Sequence, residues 1–452
     1  MSVAVILDPY RPYALMLMEE LYRRHGIQSI CLHSDWRTRV VLEGRLPFLR
    51  SKAVAAHHMI SGRSMEHVAE ALRPYEVLGV LPYEEGMLSP LARLAQLLGL
   101  SWAQPEVLSA FRDKHALKRL VRDRNPRVRL NAFREVATAQ DVMQFAQENS
   151  LSRFVLKPND GSGNTRVAFF DVPADPAQLA EYFRTSDSRV LMEEFVEGDE
   201  YWVNGQMDAD GQPTIVGIGT YIRVSENGVQ NLEIGSLSVS SQHPVFEPLR
   251  RYTEDVMRAT GLRRSPFHLE AIIDERGPCL VEVGARLCGE LVALNDQWQH
   301  GPQLDLISVA AHYYTSSRPY GDLPLDWRRY DTHYSGHATG VSPSDQRITA
   351  IDGLTELEES SHFLWWVKKP HVGDHVQRTT SLTTRAWSAA VNASSEEQIR
   401  DVITTARESI RLVGTADTTW SPRERWPVYR AVLGKAWSSR PRPYQLRALA
   451  HR

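Results

Sequence analysis

The chain has 452 residues, of which 42% are hydrophobic and 24% charged, with a formal net charge of −3. That length exceeds one ordinary core and implies roughly two to four domains, while the slight acidity excludes a global pull toward nucleic acid or anionic lipid. No run approaches the ~18 apolar residues of a membrane span, and Asp8 interrupts the N-terminal MSVAVILDPYRPYALMLMEEL too early for a signal peptide.

In chain order, VAVILD (3–8) reads as a strand, followed by a helix with Leu15, Met18, Leu21 and Tyr22 at three- and four-residue spacing and Gly26 at its end. IQSICLH and VLGVLP (77–82) read as further strands, and EEGMLSPLARLAQLLGL as a helix closed by Gly99. This alternation predicts a Rossmann-like, doubly wound α/β domain over 1–105. The turn LDPYRPYA carries no GxGxxG, which excludes a dinucleotide fingerprint there. Beyond residue 106 the expected order is a helix over FRDKHALKRLVRDR and another near 138–149. Strands RFVLKP (153–158), RVAFF (166–170), VLMEEFV (190–196) and YWVNGQMD follow, then an Ala/Leu-rich helix at 290–314. Residues 350–415 add the strand-like SHFLWWVKK and HVQRTTSL and the helix EEQIRDVITTARESIRLV. From Trp420 the tail holds eight Arg or Lys, one Glu and four prolines. Cys31, Cys279 and Cys288 lack metal-ligand spacing, so they read as free, buried thiols of a reducing, cytoplasmic protein.

Two stretches carry chemistry. KPNDGSGNTRV places Gly161 and Gly163 among small polar residues, a loop able to turn backbone N–H groups toward phosphate. It is not a P-loop, because the Lys precedes the glycines and β-like sequence follows; a plain hairpin turn remains an equal reading of this segment alone. FHLEAIIDERGPCLVEVGARLCG (267–289) reads as a hairpin. A turn centred on Arg276 would pair Ile273 with Cys279, Ile272 with Leu280, and Glu270 with Glu282. His268, Glu270, Glu282 and Gly284 would then share one face. Opposed like charges are destabilising, so either one Glu is protonated or a cation lies between them. With phosphate nearby, two oxygen ligands favour Mg²⁺. Arg286 has the same parity.

Together these segments resemble the ATP-grasp superfamily, in particular its carboxylate–amine ligase branch with the bacterial L-amino-acid (dipeptide) ligases. The resemblance spans most of 1–415. It implies a pre-ATP-grasp domain (1–105), a two-lobed ATP-grasp domain (106–320), a small C-terminal α+β domain (321–415) and an unmatched basic tail (416–452). It further implies that Lys114 touches the α-phosphate, and Lys157 with Gly161, Ser162 and Gly163 the phosphate chain. MEEFVEGDEY would then supply Glu193 to the adenine amino group, Glu194, Phe195 and Val196 along the hinge, and Glu200 to the ribose. Glu270 and Glu282 would hold Mg²⁺, with Mn²⁺ as a stand-in. Arg286 would meet the transferred phosphate, with His268 as a further catalytic candidate. Gly284 stands where many relatives carry a metal-binding Asn, which puts the metal count in doubt. The activity implied is ATP-dependent amide formation from a small-molecule carboxylate and an amine, without nucleic-acid or membrane partners and with a homodimer as an open arrangement. Arg223, His243, His268, Trp298 and Tyr334 are candidates for the substrate pocket. Competing readings are ligation of a non-amino-acid acid or a larger peptide, a non-catalytic ATP-binding regulator, and RNA binding by the tail.

Overall fold

The structure is a computed structural model that describes residues 1–9, 12–34, 52–81, 87–100, 104–161, 166–186, 188–289, 295–316 and 318–416. The expected segments Ser162–Gly163, the start of the helix near 84, the first residues of the helix at 290 and the tail beyond 416 lie outside them in whole or part.

In chain order the strands are β1 Ser2–Leu7, β2 Gln28–His33, β3 Val54–Met59, β4 Glu76–Leu81, β5 Phe133–Val136, β6 Arg153–Pro158, β7 Ala168–Asp171 and β8 Val190–Glu194. Then come β9 Asp199–Met207, β10 Pro213–Glu226, β11 Val229–Ser238, β12 Pro266–Asp274, β13 Gly277–Gly284 and β14 Tyr334–Gly340. The last are β15 Gln346–Asp352, β16 Phe363–Lys368, β17 His375–Val376, β18 Trp387–Ala393 and β19 Arg411–Ala416. They form sheets ordered β3-β2-β1-β4, β5-β8-β6-β7, β13-β12-β9-β10-β11-β14-β18-β16 and β17-β15-β19.

The first sheet is parallel, and its central strands β1 and β2 are buried on both faces, as a continuous apolar run requires. Val3, Val5 and Leu7 pack with the helices Met65–Leu72 and Leu88–Leu97. Ala4 and Ile6 face the helices Pro12–His25 and Leu306–Thr315. The latter helix lies between β13 and β14 in the chain, so this layer is completed by a part of the sequence far from its own strands. The whole is a mixed α/β and α+β multidomain fold in which two antiparallel sheets, β5-β8-β6-β7 and the eight-stranded one, follow the parallel sheet. The large sheet does not stop near residue 320, because β14, β18 and β16 extend it from β11.

Several sequence expectations need correction. The helix expected over FRDKHALKRLVRDR starts only at Lys114 and runs to Arg124, because Asp113 caps it by accepting from the Ala116 N–H at 2.8 Å, and a separate short helix, Pro105–Ala110, precedes it. The expected helix at 290–314 is likewise Asn295–His300 and Leu306–Thr315, with Asp305 as N-cap of the second. The helix EEQIRDVITTARESIRLV ends at Ser409 and its apolar RLVGTA becomes β19. HVQRTTSL contributes only His375 and Val376 as strand. Strands β3, β14, β15 and β18 and the helices Met65–Leu72, Pro176–Arg184 and Phe246–Thr260 had no counterpart in the reading by periodicity. All three cysteines are free and buried.

Candidate active site

The β12–β13 hairpin does oppose Glu270 and Glu282, by a different route from the one the turn suggested. Glu275 and Arg276 are the turn's central pair, since Asp274 faces Gly277. Asp274 accepts from the Arg276 N–H at 2.8 Å, and Gly277 takes φ 99, a left-handed value that favours glycine. Ile273 therefore pairs with Pro278 and Ile272 with Cys279, one residue off the expected ladder. The ladder shifts again between Ala271 and Glu270, leaving Val281 as the extra residue of a bulge. The two offsets cancel at the glutamates. Val281 is consequently not a member of the apolar face with Val283; it lines the cavity, and its carbonyl accepts from Lys157 Nζ at 3.5 Å.

Neither a shared proton nor a cation between the glutamates is needed to offset their repulsion in this structure. Each carboxylate has its own partner. Glu282 pairs with Lys114 Nζ at 3.2 Å. Glu270 accepts from the Tyr221 hydroxyl at 2.6 Å and has His268 Nε2 at 3.5 Å. Burial pushes the Glu270 carboxyl up, but His268, Tyr221 and Arg223 outweigh it and leave it below the usual carboxylate range. His268 also reaches Asn204 Oδ1 at 2.7 Å through Nδ1. A Tyr221→Phe variant removes one donor from Glu270. Its kcat is expected to fall about tenfold with little change in the KM for ATP, which steady-state ADP formation would show; an unchanged kcat would remove Tyr221 from the site.

Lys114 starts the helix Lys114–Arg124, whose first turn is tied to the glycine loop: the Lys114 N–H donates to Asn159 O and Lys114 Nζ to Gly161 O at 2.5 Å. Four residues on, and so on the same helix face, is Lys118, which the sequence reading did not single out. Its ammonium is buried and lies 2.7 Å from Glu193, and Lys157 approaches the same carboxylate at 3.0 Å. Lys118 also donates to Asn131 Oδ1 at 2.7 Å. Val155 pairs with Glu193 across β6–β8, so Lys157, two residues on, shares that face. Burial raises the Glu193 carboxyl, yet the two lysines hold it at about 2. Burial lowers Lys157, with Glu193 opposing. A carboxyl depressed from an ordinary 4.5 to about 2 contributes stability that is complete above 4.5 and disappears as pH falls toward 2. Urea unfolding of wild type and Glu193→Gln should therefore differ more at pH 5 than at pH 3, and a gap that does not shrink with acid would contradict this coupling.

Glu193 is thus turned into a buried lysine pair, whereas Glu194 accepts from the Ala132 N–H at 3.0 Å and from Arg276 at 2.9 Å. Phe195 lies beneath the Arg153 guanidinium, 4.2 Å from its ring centre. Glu200 binds Arg223 at 2.8 Å, and burial raises its carboxyl despite that arginine.

Most of these groups open onto one cavity of about 980 Å³. Lys114, Lys157, Gly161, Glu193, Glu194, Phe195, Val196, Glu200, His268, Glu270, Glu282 and Arg286 line it, as does Arg223. His243, Trp298 and Tyr334 are not among the lining residues. Among the described residues no cluster of three or more His, Cys, Asp or Glu is set as a metal centre. Two opposed carboxylates nevertheless suit Mg²⁺, which keeps one or two carboxylate ligands and takes its remaining oxygens from phosphate and water.

Residues 152–294 match the ATP-grasp domain model. Over 361 residues the chain is 25% identical to dapdiamide A synthase of Enterobacter agglomerans, an alignment covering 72% of this chain and 80% of that one. The chain carries an ATP-grasp domain and is similar to a carboxylate–amine ligase. Among solved structures, the L-amino acid ligase of Bacillus licheniformis superposes on this chain with a TM-score of 0.72 at 17% identity, covering 92% and 98% of the two chains. The biotin carboxylase domain of Hydrogenobacter thermophilus 2-oxoglutarate carboxylase, solved with MgADP and bicarbonate, gives 0.62 at 14% identity over 91% and 90%. At those identities the superpositions speak for the fold. No helix among the described residues is long and apolar enough to cross a membrane.

Proposed function

We propose that this ATP-grasp protein joins amino acids or amino-acid-like building blocks through an acyl phosphate, in a natural-product biosynthetic pathway. The observation that carries this reading is one cavity holding the register-paired Glu270 and Glu282 together with Lys114, Lys157 and Arg286. A substrate carboxylate oxygen attacks the γ-phosphorus of ATP, the bond to the β,γ-bridging oxygen breaks, and ADP leaves. A neutral amine then attacks the acyl carbon, phosphate departs with its oxygen, and the amine's proton passes to solvent. Mg²⁺ bound by Glu270 and Glu282 would neutralise charge on the phosphates. Lys114, Lys157 and Arg286 supply fixed positive charge along the same path. Glu194, Phe195 and Val196 take the adenine edge and Glu200 the ribose hydroxyls. Glu193 acts on the nucleotide through Lys157, whose ammonium it orients. Gly161 with Ser162 and Gly163 would cover the phosphates and exclude water from the acyl phosphate. His268 positions Glu270. The first relative named acts as a dapdiamide synthase, which supports an amide product.

The test is phosphate release across a grid of amino-acid pairs, with mass spectrometry of the products. Amino-acid-dependent phosphate together with an amide of the expected mass is the predicted result. Absence of both across the grid would leave the ligase reading without support.

A further inference from the structure

Past the glutamate pair the cavity runs on to an end that no step above uses. Its floor is formed by β11, β14 and β18, where Ser236 stands opposite His337 and Thr339 opposite Ser388. His337 and Thr339 alternate along β14 and so point the same way. All four residues are buried, Thr339 and Ser388 to 2% exposure each. Ser236 Oγ lies 3.2 Å from His337 Nδ1. The Thr339 and Ser388 hydroxyls form no hydrogen bond with any of the described residues. Hydroxyls this deep in a protein are ordinarily satisfied. Here both line the cavity, so their partner is what occupies it.

Fixed charge of both signs borders this end. Arg385 follows the short turn Leu382–Thr384, whose Leu382 and Thr383 also line the cavity, and the Lys368 ammonium anchors its carbonyl. The charges of Arg385 and Glu270 both bear on Glu233. A charged group bound here would therefore meet its like, a carboxylate Glu233 and Glu270, an ammonium Arg385, and such repulsion is strong away from water. A hydrocarbon would leave the two hydroxyls buried without partners. A carboxamide meets all of these constraints, being neutral, with an oxygen that accepts and an NH₂ that donates. Tyr221 stands opposite Ser236 in the β10–β11 ladder and its hydroxyl holds Glu270, so this end opens beside the glutamate pair. An acyl phosphate survives only where water is kept out, which gives the enclosed end to the acid that is activated.

We infer that Thr339 and Ser388 bind a side-chain carboxamide of the acid substrate, making the acyl donor an amino acid of the asparagine or glutamine type. The inference rests on the ligase reading above. It makes the hydroxyl pair a specificity device, because a hydrocarbon of the same shape leaves both hydroxyls unmet and a carboxylate of the same shape adds a charge among carboxylates.

Hydroxylamine as acceptor isolates the acid half of the reaction, because it traps the activated acyl group as a hydroxamate. Wild type, Thr339→Val, Ser388→Ala and the double variant are assayed with ATP, Mg²⁺, hydroxylamine and each of the common L-amino acids. With wild type, asparagine or glutamine should exceed aspartate, glutamate, leucine and methionine by about 100-fold in kcat/KM. Each single variant should lower that kcat/KM about tenfold with the KM for ATP within about twofold, and the double variant should bring the preference below about tenfold. Urea unfolding midpoints should not fall, since the hydroxyls removed have no partner in the fold; a merely structural role predicts earlier midpoints with the preference intact. Wild-type hydroxamate formation from any of the four isosteres within about threefold of the amides, or an unchanged preference in the double variant, overturns the inference and leaves the ligase reading standing. No hydroxamate from any amino acid with wild type defeats the ligase reading, and the inference with it.

Discussion

Glu282→Gln should reduce ADP formation by about 10³-fold or more, with protein yield and unfolding midpoint close to wild type. The substitution keeps the shape of the side chain on β13 and removes only its charge. Two things are lost together. The opposed pair with Glu270 no longer presents two anionic oxygens for Mg²⁺, and Lys114 loses the ion pair that holds it at 3.2 Å beside the phosphate path. The effect separates from a simple binding defect by titrating Mg²⁺. A variant that recovers wild-type turnover at high Mg²⁺ has lost affinity alone, whereas one that stays slow at every concentration has lost a group that acts in the transfer. Turnover within tenfold of wild type at all Mg²⁺ concentrations would show that Glu282 is no metal ligand.

The second large effect is on stability and comes from the residue that motif reading passed over. Lys118→Met leaves Glu193 with Lys157 as its one ammonium partner, 3.0 Å away, in a site where Lys118 is only 1% exposed. Breaking a buried pair by removing one partner costs about 3–5 kcal/mol, because the remaining charge stays desolvated. Chemical unfolding should show that loss as an earlier midpoint. The same variant should bind ATP more weakly, since Lys157 becomes the sole neutraliser of Glu193 and is less available to phosphate. The double variant Lys118→Met/Glu193→Gln should regain part of the stability but not the ATP affinity. If Lys118→Met unfolds at the wild-type denaturant concentration, the buried lysine pair is not what holds this lobe together.

Much of the site was legible before any coordinates. Side-chain parity on a strand has period two, so a turn centred on Arg276 sets the two carboxylates opposite each other; with the two-residue turn observed, the bulge at Val281 restores that pairing. Lys157 before a glycine loop and the run MEEFVEGDE mark their own places because their chemistry depends on local order. Lys118 could have been found by the same kind of reasoning, since it follows Lys114 by one helical turn.

Local sequence by itself determined the strands with unbroken apolar runs, the caps at Asp113 and Asp305, and the oxygen- and lysine-rich motifs. Those features depend on residues within a few positions of one another. The tertiary structure alone decided the bulge at Val281, the eight-stranded sheet that carries β11 on into β14, and the packing of helix Leu306–Thr315 under the first parallel sheet. It also decided which buried charges found partners. Each of these depends on contacts between segments far apart in the chain, where burial strengthens a charge interaction or leaves it unmet, and no spacing along the sequence encodes which of the two occurs.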